Sequence, residues 1–268
     1  MTPSICIGSY TIEQIKDIRN AGFKNAELSF AGVATMPEQD RKDYLGYLKE
    51  LGFSVFGANC FFGQGLGGFF TEYFDLGKIR EYIASAFENT KELKWSTLAF
   101  GSGYMRNIPD GYGYEKAFSF MASFIKEEIV PYLEKYDAYL NIEELRKEET
   151  NFITSCAEGG KLAEAVGSTR VGLLCDYYHM SMAGETADDV PAFGKYIKHV
   201  HIASPSNNRV IPLRNDGNGE RYEAFFKALD KAGYNGYVSV ESFVPKDGGF
   251  ADKVKNCYEY LSEMLGCI

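Results

Sequence analysis

Short apolar runs alternate with longer amphipathic stretches eight times along this chain, and that count limits the fold more than any other feature. The runs fall at residues 5–9, 25–29, 54–59, 97–101, 139–143, 171–175, 199–203 and 237–241 and read as strands. Helical patterns lie between them at 11–21, 37–51, 78–93, 114–136, 152–166, 187–197, 222–232 and 251–265. The first opens with Thr11 and Gln14, close to a capping box. The second has Pro37 near its start and Gly52 just past its end. Eight strand–helix units of this kind are the pattern of an α/β chain folded as a (β/α)8 TIM barrel. A doubly wound open sheet shares the alternation, but no glycine-rich dinucleotide fingerprint follows the first strand. No Pro- or Ser-rich linker divides the 268 residues, so a single domain over 1–268 is expected. The stretch FFGQGLGGFF at 61–70 reads as a mobile aromatic loop that covers a ligand or packs on a neighbouring subunit.

Composition narrows the partners. Hydrophobic residues make up 45% of the chain, which is globular rather than disordered. The net charge of -9 disfavours nucleic acid, whose binding needs basic surface, and suits a cation. Of the six cysteines, Cys6, Cys60, Cys156, Cys175, Cys257 and Cys267, no two have C-x-x-C spacing. Reduced, buried thiols and a cytoplasmic location are expected. No signal peptide is visible and no apolar run reaches membrane-spanning length, so no membrane association is expected.

The last four strands each end in a group able to bind a divalent metal: Glu143, Asp176, His201 and Glu241. All three histidines, His179, His199 and His201, fall within this half. In a barrel the C-terminal strand ends face one mouth, and neighbouring strands lie roughly 5 Å apart, so groups on four successive ends can share one centre. A carboxylate at a strand end is often only the cap of the next helix, but four in succession are harder to explain that way. Three carboxylates and an imidazole suit Mn2+ or Mg2+ and tolerate Co2+ or Zn2+. His199 alternates with His201 along the strand. It either supports the site from behind or is a hydrogen-bonded structural histidine.

These residues resemble the xylose-isomerase-like sugar isomerases and epimerases, a group that includes ketose 3-epimerases, hydroxypyruvate isomerases and inosose-processing enzymes. Ile142-Glu143-Glu144-Leu145 with Glu149 is similar to the family's strand-five motif, and Asp176-Tyr177-Tyr178-His179-Met180 to its Asp-x-x-His-Met. His199-Val200-His201 with Arg209 and Pro212 is similar to the strand-seven motif, and Glu241 stands where the last ligand falls. Arg146-Lys147 depart from the usual Asn-Arg, and Ala203-Ser204-Pro205 lack the usual acidic residue. Gly101-Ser102-Gly103 with Arg106 is also similar to a strand-four loop of some members, and reads equally well as a simple turn.

The resemblance implies a metal-dependent enzyme of carbohydrate metabolism that moves a proton next to a carbonyl through a metal-bound enediolate, in the manner of a ketose 3-epimerase. Glu143 and Glu241 would be both ligands and proton carriers. His179 and Arg209 would bind substrate oxygens, and Glu149 would orient His179 or bind a hydroxyl. The substrate would be a sugar or polyol ketone, and a homodimer or homotetramer is consistent with the family. An inosose dehydratase or isomerase, and a non-catalytic sugar-binding barrel, are the alternatives. The abasic-site endonucleases of the same superfamily need more histidines and a surface that accepts DNA. Phe61, Phe62 and Tyr104 are the aromatic residues expected to wall the pocket.

Overall fold

The computed structural model describes residues 1–206, 208–244 and 248–266. Eight parallel strands pair in sequence order and close on themselves: β1 (Thr2–Cys6), β2 (Asn25–Ser29), β3 (Ser54–Asn59), β4 (Thr97–Phe100), β5 (Leu140–Glu143), β6 (Val171–Asp176), β7 (Ile197–Ile202) and β8 (Tyr237–Val240). The expected barrel is therefore the fold, and β1 pairing with β8 leaves no free edge. One strand is displaced from its expected position. β1 begins at Thr2 because Thr2, Pro3, Ser4 and Ile5 pair with Tyr237, Val238, Ser239 and Val240. Proline argues against a central strand, so Pro3 hid this start behind the more apolar Ile5-Cys6-Ile7.

The helices are α1 (Ile12–Ala21), α2 (Phe30–Thr35), α3 (Glu38–Glu50), α4 (Leu76–Asn89), α5 (Gly103–Arg106), α6 (Tyr114–Phe124), α7 (Val130–Lys135), α8 (Cys156–Val166), α9 (Tyr177–Met182), α10 (Val190–Phe193), α11 (Gly219–Lys231) and α12 (Phe250–Met264). Thr11 caps α1 with both bonds of a capping box: Gln14 N–H to Thr11 Oγ1 at 3.3 Å and Thr11 N–H to Gln14 Oε1 at 2.9 Å. Two expected helices are interrupted. Between α6 and α7 the ladder widens to a π turn over Ile125–Ile129, just before Pro131, which has no N–H to donate. The 187–197 segment is α10 flanked by 3-10 turns at Ala187–Asp189 and Gly194–Tyr196. Short α2, α5 and α9 follow strand ends and span too few residues to show a period.

The phenylalanines of 61–70 turn inward. Phe61, Phe62, Phe69 and Phe70 are all buried. Phe61 stacks on Phe30 with centroids 5.0 Å apart, and Phe62 meets Phe69 at 5.6 Å and Phe100 at 5.7 Å. Burying each is worth roughly 1.5–3 kcal/mol. This corrects the expectation for Phe61 and Phe62: they are core residues beneath the barrel mouth, not pocket walls. Tyr104 is half exposed and donates to the Gly63 carbonyl. The described cysteines are free thiols; Cys6, Cys156, Cys175 and Cys257 are buried, but Cys60 is exposed. Cys267 lies outside the described residues. Among the described residues no helix is long and apolar enough to cross a membrane.

Candidate metal centre

Four strand ends deliver one cluster. Glu143 closes β5, Asp176 closes β6, His201 lies beside Asp176 in the β6–β7 register, and Glu241 directly follows β8. One ligand atom from each of these four residues lies within 4.8 Å of the others. His201 Nδ1 is 3.2 Å from Glu241 Oε2, 3.9 Å from Glu143 Oε1 and 4.0 Å from Asp176 Oδ2. Asp176 divides its carboxylate between two tasks. Oδ1 caps α9, accepting from Tyr178 N–H at 2.7 Å and His179 N–H at 3.3 Å, while Oδ2 turns to the cluster. The helix-cap role and the cluster role thus fall on one residue.

Gly101, at the end of β4, makes room for Glu143. A Cβ there would lie 2.3 Å from Glu143 Oε2, and its other near neighbours are 3.3 Å away or more. Gly101→Ala is expected to leave the barrel folded, with a stability change of about 1 kcal/mol or less, because a flexible carboxylate can move. A crystal structure of the variant should show the Glu143 carboxylate rotated out of the cluster. An unmoved carboxylate would contradict this account of Gly101.

Arg209 supplies the cluster's positive charge. Its Nη2 donates to both Asp176 Oδ2 and Glu241 Oε2 and lies 3.9 Å from Glu143 Oε1. Nη1 lies 3.1 Å from His179 Nε2, and Nε donates to the Glu241 carbonyl at 3.1 Å. Arg209 holds these contacts with φ at 42°, a left-handed conformation uncommon for a residue with a side chain.

Charge and burial split the carboxylates. Burial, together with the charge of Glu241, pushes Glu143 up to about 7. Burial acts the same way on Glu241, but the cations Arg209 and His201 outweigh it and hold Glu241 well below the usual range. Burial alone would lower His201; Cys6, Glu27 and Glu241 raise it above the ordinary histidine value.

The remaining expected residues fall as follows. His179 is fully buried beside Arg209, and its Nε2 lies 4.0 Å from Glu143 Oε1. Its Nδ1 is addressed by the backbone N–H of Arg146 at 3.3 Å. Glu149 pairs instead with Arg146 Nε at 2.8 Å, so the orienting contact on His179 comes from Arg146 rather than Glu149. Arg106 is fully buried, and Nη1 donates to the Glu143 carbonyl at 3.0 Å, which makes it a brace for the end of β5. His199 points away from the cluster, toward Glu27.

Three participants escaped the sequence reading. Asn59, at the end of β3, donates to Glu241 Oε1 at 2.5 Å. Glu144 Oε1 accepts the Asp176 N–H at 2.9 Å. Glu27, inside β2, lies within hydrogen-bond distance of both His199 Nε2 and His201 Nε2. The strand-end argument applied to β3 finds Asn59. An ionisable residue between Ala26 and Leu28 in a strand buried on both faces was the available signal for Glu27. Beside the cluster a cleft of about 290 Å³ opens at the mouth, lined by residues that include Ser9, Asn59, Cys60, Arg209, Glu241 and Phe243.

With barrel and cluster in view, the comparisons with known proteins define the class. The family model described as "Xylose isomerase-like TIM barrel" matches residues 15–260, and the chain belongs to that family. A probable ketose 3-epimerase of Synechocystis sp. is 31% identical over 119 residues, which cover 44% of this chain and 40% of that protein. The chain spans about two-fifths of the length of the curated relatives it matches. Among solved structures, D-allulose 3-epimerase from Methylomonas sp. superposes with a TM-score of 0.78 at 18% identity, covering 98% of each chain. The IOLI protein "with a binding zinc atom" gives a TM-score of 0.74 at 16% identity, covering 99% of this chain and 98% of that one. At such identities these likenesses are likenesses of fold.

Proposed function

We propose that this chain is a divalent-metal-dependent sugar epimerase that moves a proton beside the carbonyl of a ketose, in the manner of a ketose 3-epimerase. The observation that carries this reading is the convergence of Glu143, Asp176, His201 and Glu241 at the barrel mouth. The partial likeness to a ketose 3-epimerase supports the substrate class, and the zinc atom named for the IOLI structure supports a metal.

The donor set fits the ion. Three carboxylates and an imidazole nitrogen suit Mn2+ best, with Mg2+, Co2+ or Zn2+ tolerated. Glu143, Asp176, His201 and Glu241 would hold it, and when bound it supplies Lewis-acid polarisation of a carbonyl, which acidifies the neighbouring C–H. The chain's own groups carry the proton. Glu241, held ionised, removes the proton from one face of the substrate. Glu143, on the opposite side, returns one to the other face. Arg209 and His179 donate to substrate oxygens and offset the negative charge that develops as the proton leaves. Glu149, at the rim, accepts from a sugar hydroxyl. The cleft bordered by Asn59, Cys60 and Glu241 receives the sugar.

Deuterium incorporation from solvent tests this reading. Mn2+-loaded protein is incubated with a panel of ketoses and inososes, and exchange is expected at the carbon beside a ketose carbonyl and is lost on chelation. Absence of exchange from every member of the panel would sink the proposal. Loss of water from an inosose would redirect it to a dehydratase.

Metal binding is expected to depend on pH in one direction. An ion needs Glu143 ionised, and its carboxyl is pushed up to about 7. Below that pH a proton must be displaced from Glu143, and the raised His201 must also give up its Nδ1 proton, so Mn2+ affinity rises with pH by up to roughly tenfold per unit for each proton displaced and goes on rising above the Glu143 value. Mn2+ titrations followed by electron paramagnetic resonance across that range check this. A flat profile contradicts it.

A further inference from the structure

We propose that Glu27 is a positioning residue that keeps a proton on Nε2 of His201, so that Nδ1 is the nitrogen left to face the carboxylate cluster. Glu27 lies on β2 and is fully buried inside the barrel. Its two oxygens serve two rings: Oε1 is 2.7 Å from His199 Nε2, and Oε2 is 3.2 Å from His201 Nε2. The rings stand nearly perpendicular, with centroids 5.0 Å apart, so a single carboxylate reaches both. Space for it comes from Gly57 on β3, where a Cβ would lie 3.2 Å from Glu27 Cγ and 2.4 Å from Thr97 Cγ2.

The chemistry of the pair sets the proton. An ionised carboxylate only accepts, and a buried one must be given donors. A bare Nε2 lone pair facing Glu27 would set two acceptors against each other at 3.2 Å. The other neighbour of that nitrogen, Cys6 Sγ at 3.8 Å, is a weaker partner. A proton therefore stays on Nε2, and any proton given up to an ion comes from Nδ1, the nitrogen that faces Glu241, Glu143 and Asp176. His199 supplies the second donor that keeps the carboxylate charged and oriented. Glutamine cannot replace Glu27 in this role, because its side chain offers one acceptor and one donor where two acceptors are needed.

With only three histidines in the chain, 15N-histidine labelling gives a spectrum simple enough to read. In the metal-free wild type, long-range 1H–15N correlation is expected to show protonated Nε2 on both His199 and His201. On loading with Zn2+, chosen because it is diamagnetic, His201 Nε2 should stay protonated while Nδ1 shifts. In Glu27→Gln one of the two Nε2–H signals is lost, and Mn2+ affinity falls about 10–100-fold. An unprotonated His201 Nε2 in the wild type overturns the proposal, as does a Glu27→Gln variant with both signals and its affinity unchanged. The affinity arm rests on the metal reading above. If the wild type binds no Mn2+, that reading fails, while the metal-free spectrum, which needs no variant, still decides the role of Glu27.

Discussion

Glu241→Gln is expected to lower deuterium incorporation into the accepted ketose by roughly 10²–10⁴-fold, the range associated with loss of a general base. Glutamine keeps the size of the side chain and an oxygen for Asn59 Nδ2, but cannot take a proton. Because Glu241 is also a proposed ligand, the comparison is made at saturating Mn2+, where loss of affinity no longer contributes. Glu143→Gln should behave differently. With Glu241 intact, the proton of one epimer still leaves and exchanges, while formation of the other epimer falls by a similar factor because no acid stands on the opposite face. Undiminished exchange in Glu241→Gln would remove it as an essential proton carrier. Equal loss of exchange from both epimers in Glu143→Gln would remove the division between the two faces.

Arg209→Met is expected to raise Mn2+ affinity by roughly 10–100-fold, or about 1.4–2.8 kcal/mol. The guanidinium donates into the cluster at Asp176 and Glu241, so a divalent ion sharing those oxygens must displace it. Its hold there is imperfect. Arg209 Nη1 and the Arg146 N–H address the two ring nitrogens of His179. A neutral imidazole has only one nitrogen free to accept, and burial keeps His179 below its ordinary pKa. The left-handed backbone of Arg209 costs a further 1–2 kcal/mol or so. Without the guanidinium, the metal-free variant loses about 3–5 kcal/mol of stability from uncompensated buried carboxylates. Thermal melts should show a lower Tm without metal and a larger rise on adding Mn2+ than in the wild type. Turnover should fall because a donor to substrate oxygens is gone. Lower Mn2+ affinity in Arg209→Met would mean that the guanidinium and the ion do not compete.

The barrel was legible because its signal is repeated: eight apolar runs, each bounded by helical patterns, overdetermine the topology even where one boundary slips, as at Pro3. The candidate ligands were legible for a related reason. Strand ends converge on one face whatever the details of packing, so position in sequence stands in for position in space. Glu27 had no such shortcut. It reaches His201 across the barrel interior, and nothing local to β2 announces that partner. Phe61 and Phe62 misled because a loop after a strand was read as open, whereas four phenylalanines close together in sequence are more stable buried among Phe30, Phe100 and Phe124. Of the two roles expected for Glu149, orienting His179 falls instead to the backbone N–H of Arg146, one of the positions at which the chain departs from the family pattern, and binding a hydroxyl is left to it.

The pairing of β1 with β8 has a consequence for how the protein is made. Synthesis runs from the N-terminus, and Glu241 emerges only with the strand that completes the cylinder. Glu27 is in place long before the histidines it serves. A growing chain therefore carries at most three of the four candidate ligands, Glu143, Asp176 and His201, until β8 is made. On the proposed metal reading, the complete four-ligand site exists only after closure, and because an ion held by the finished form alone draws the equilibrium toward it, loading would act as the latch on a cylinder already shut.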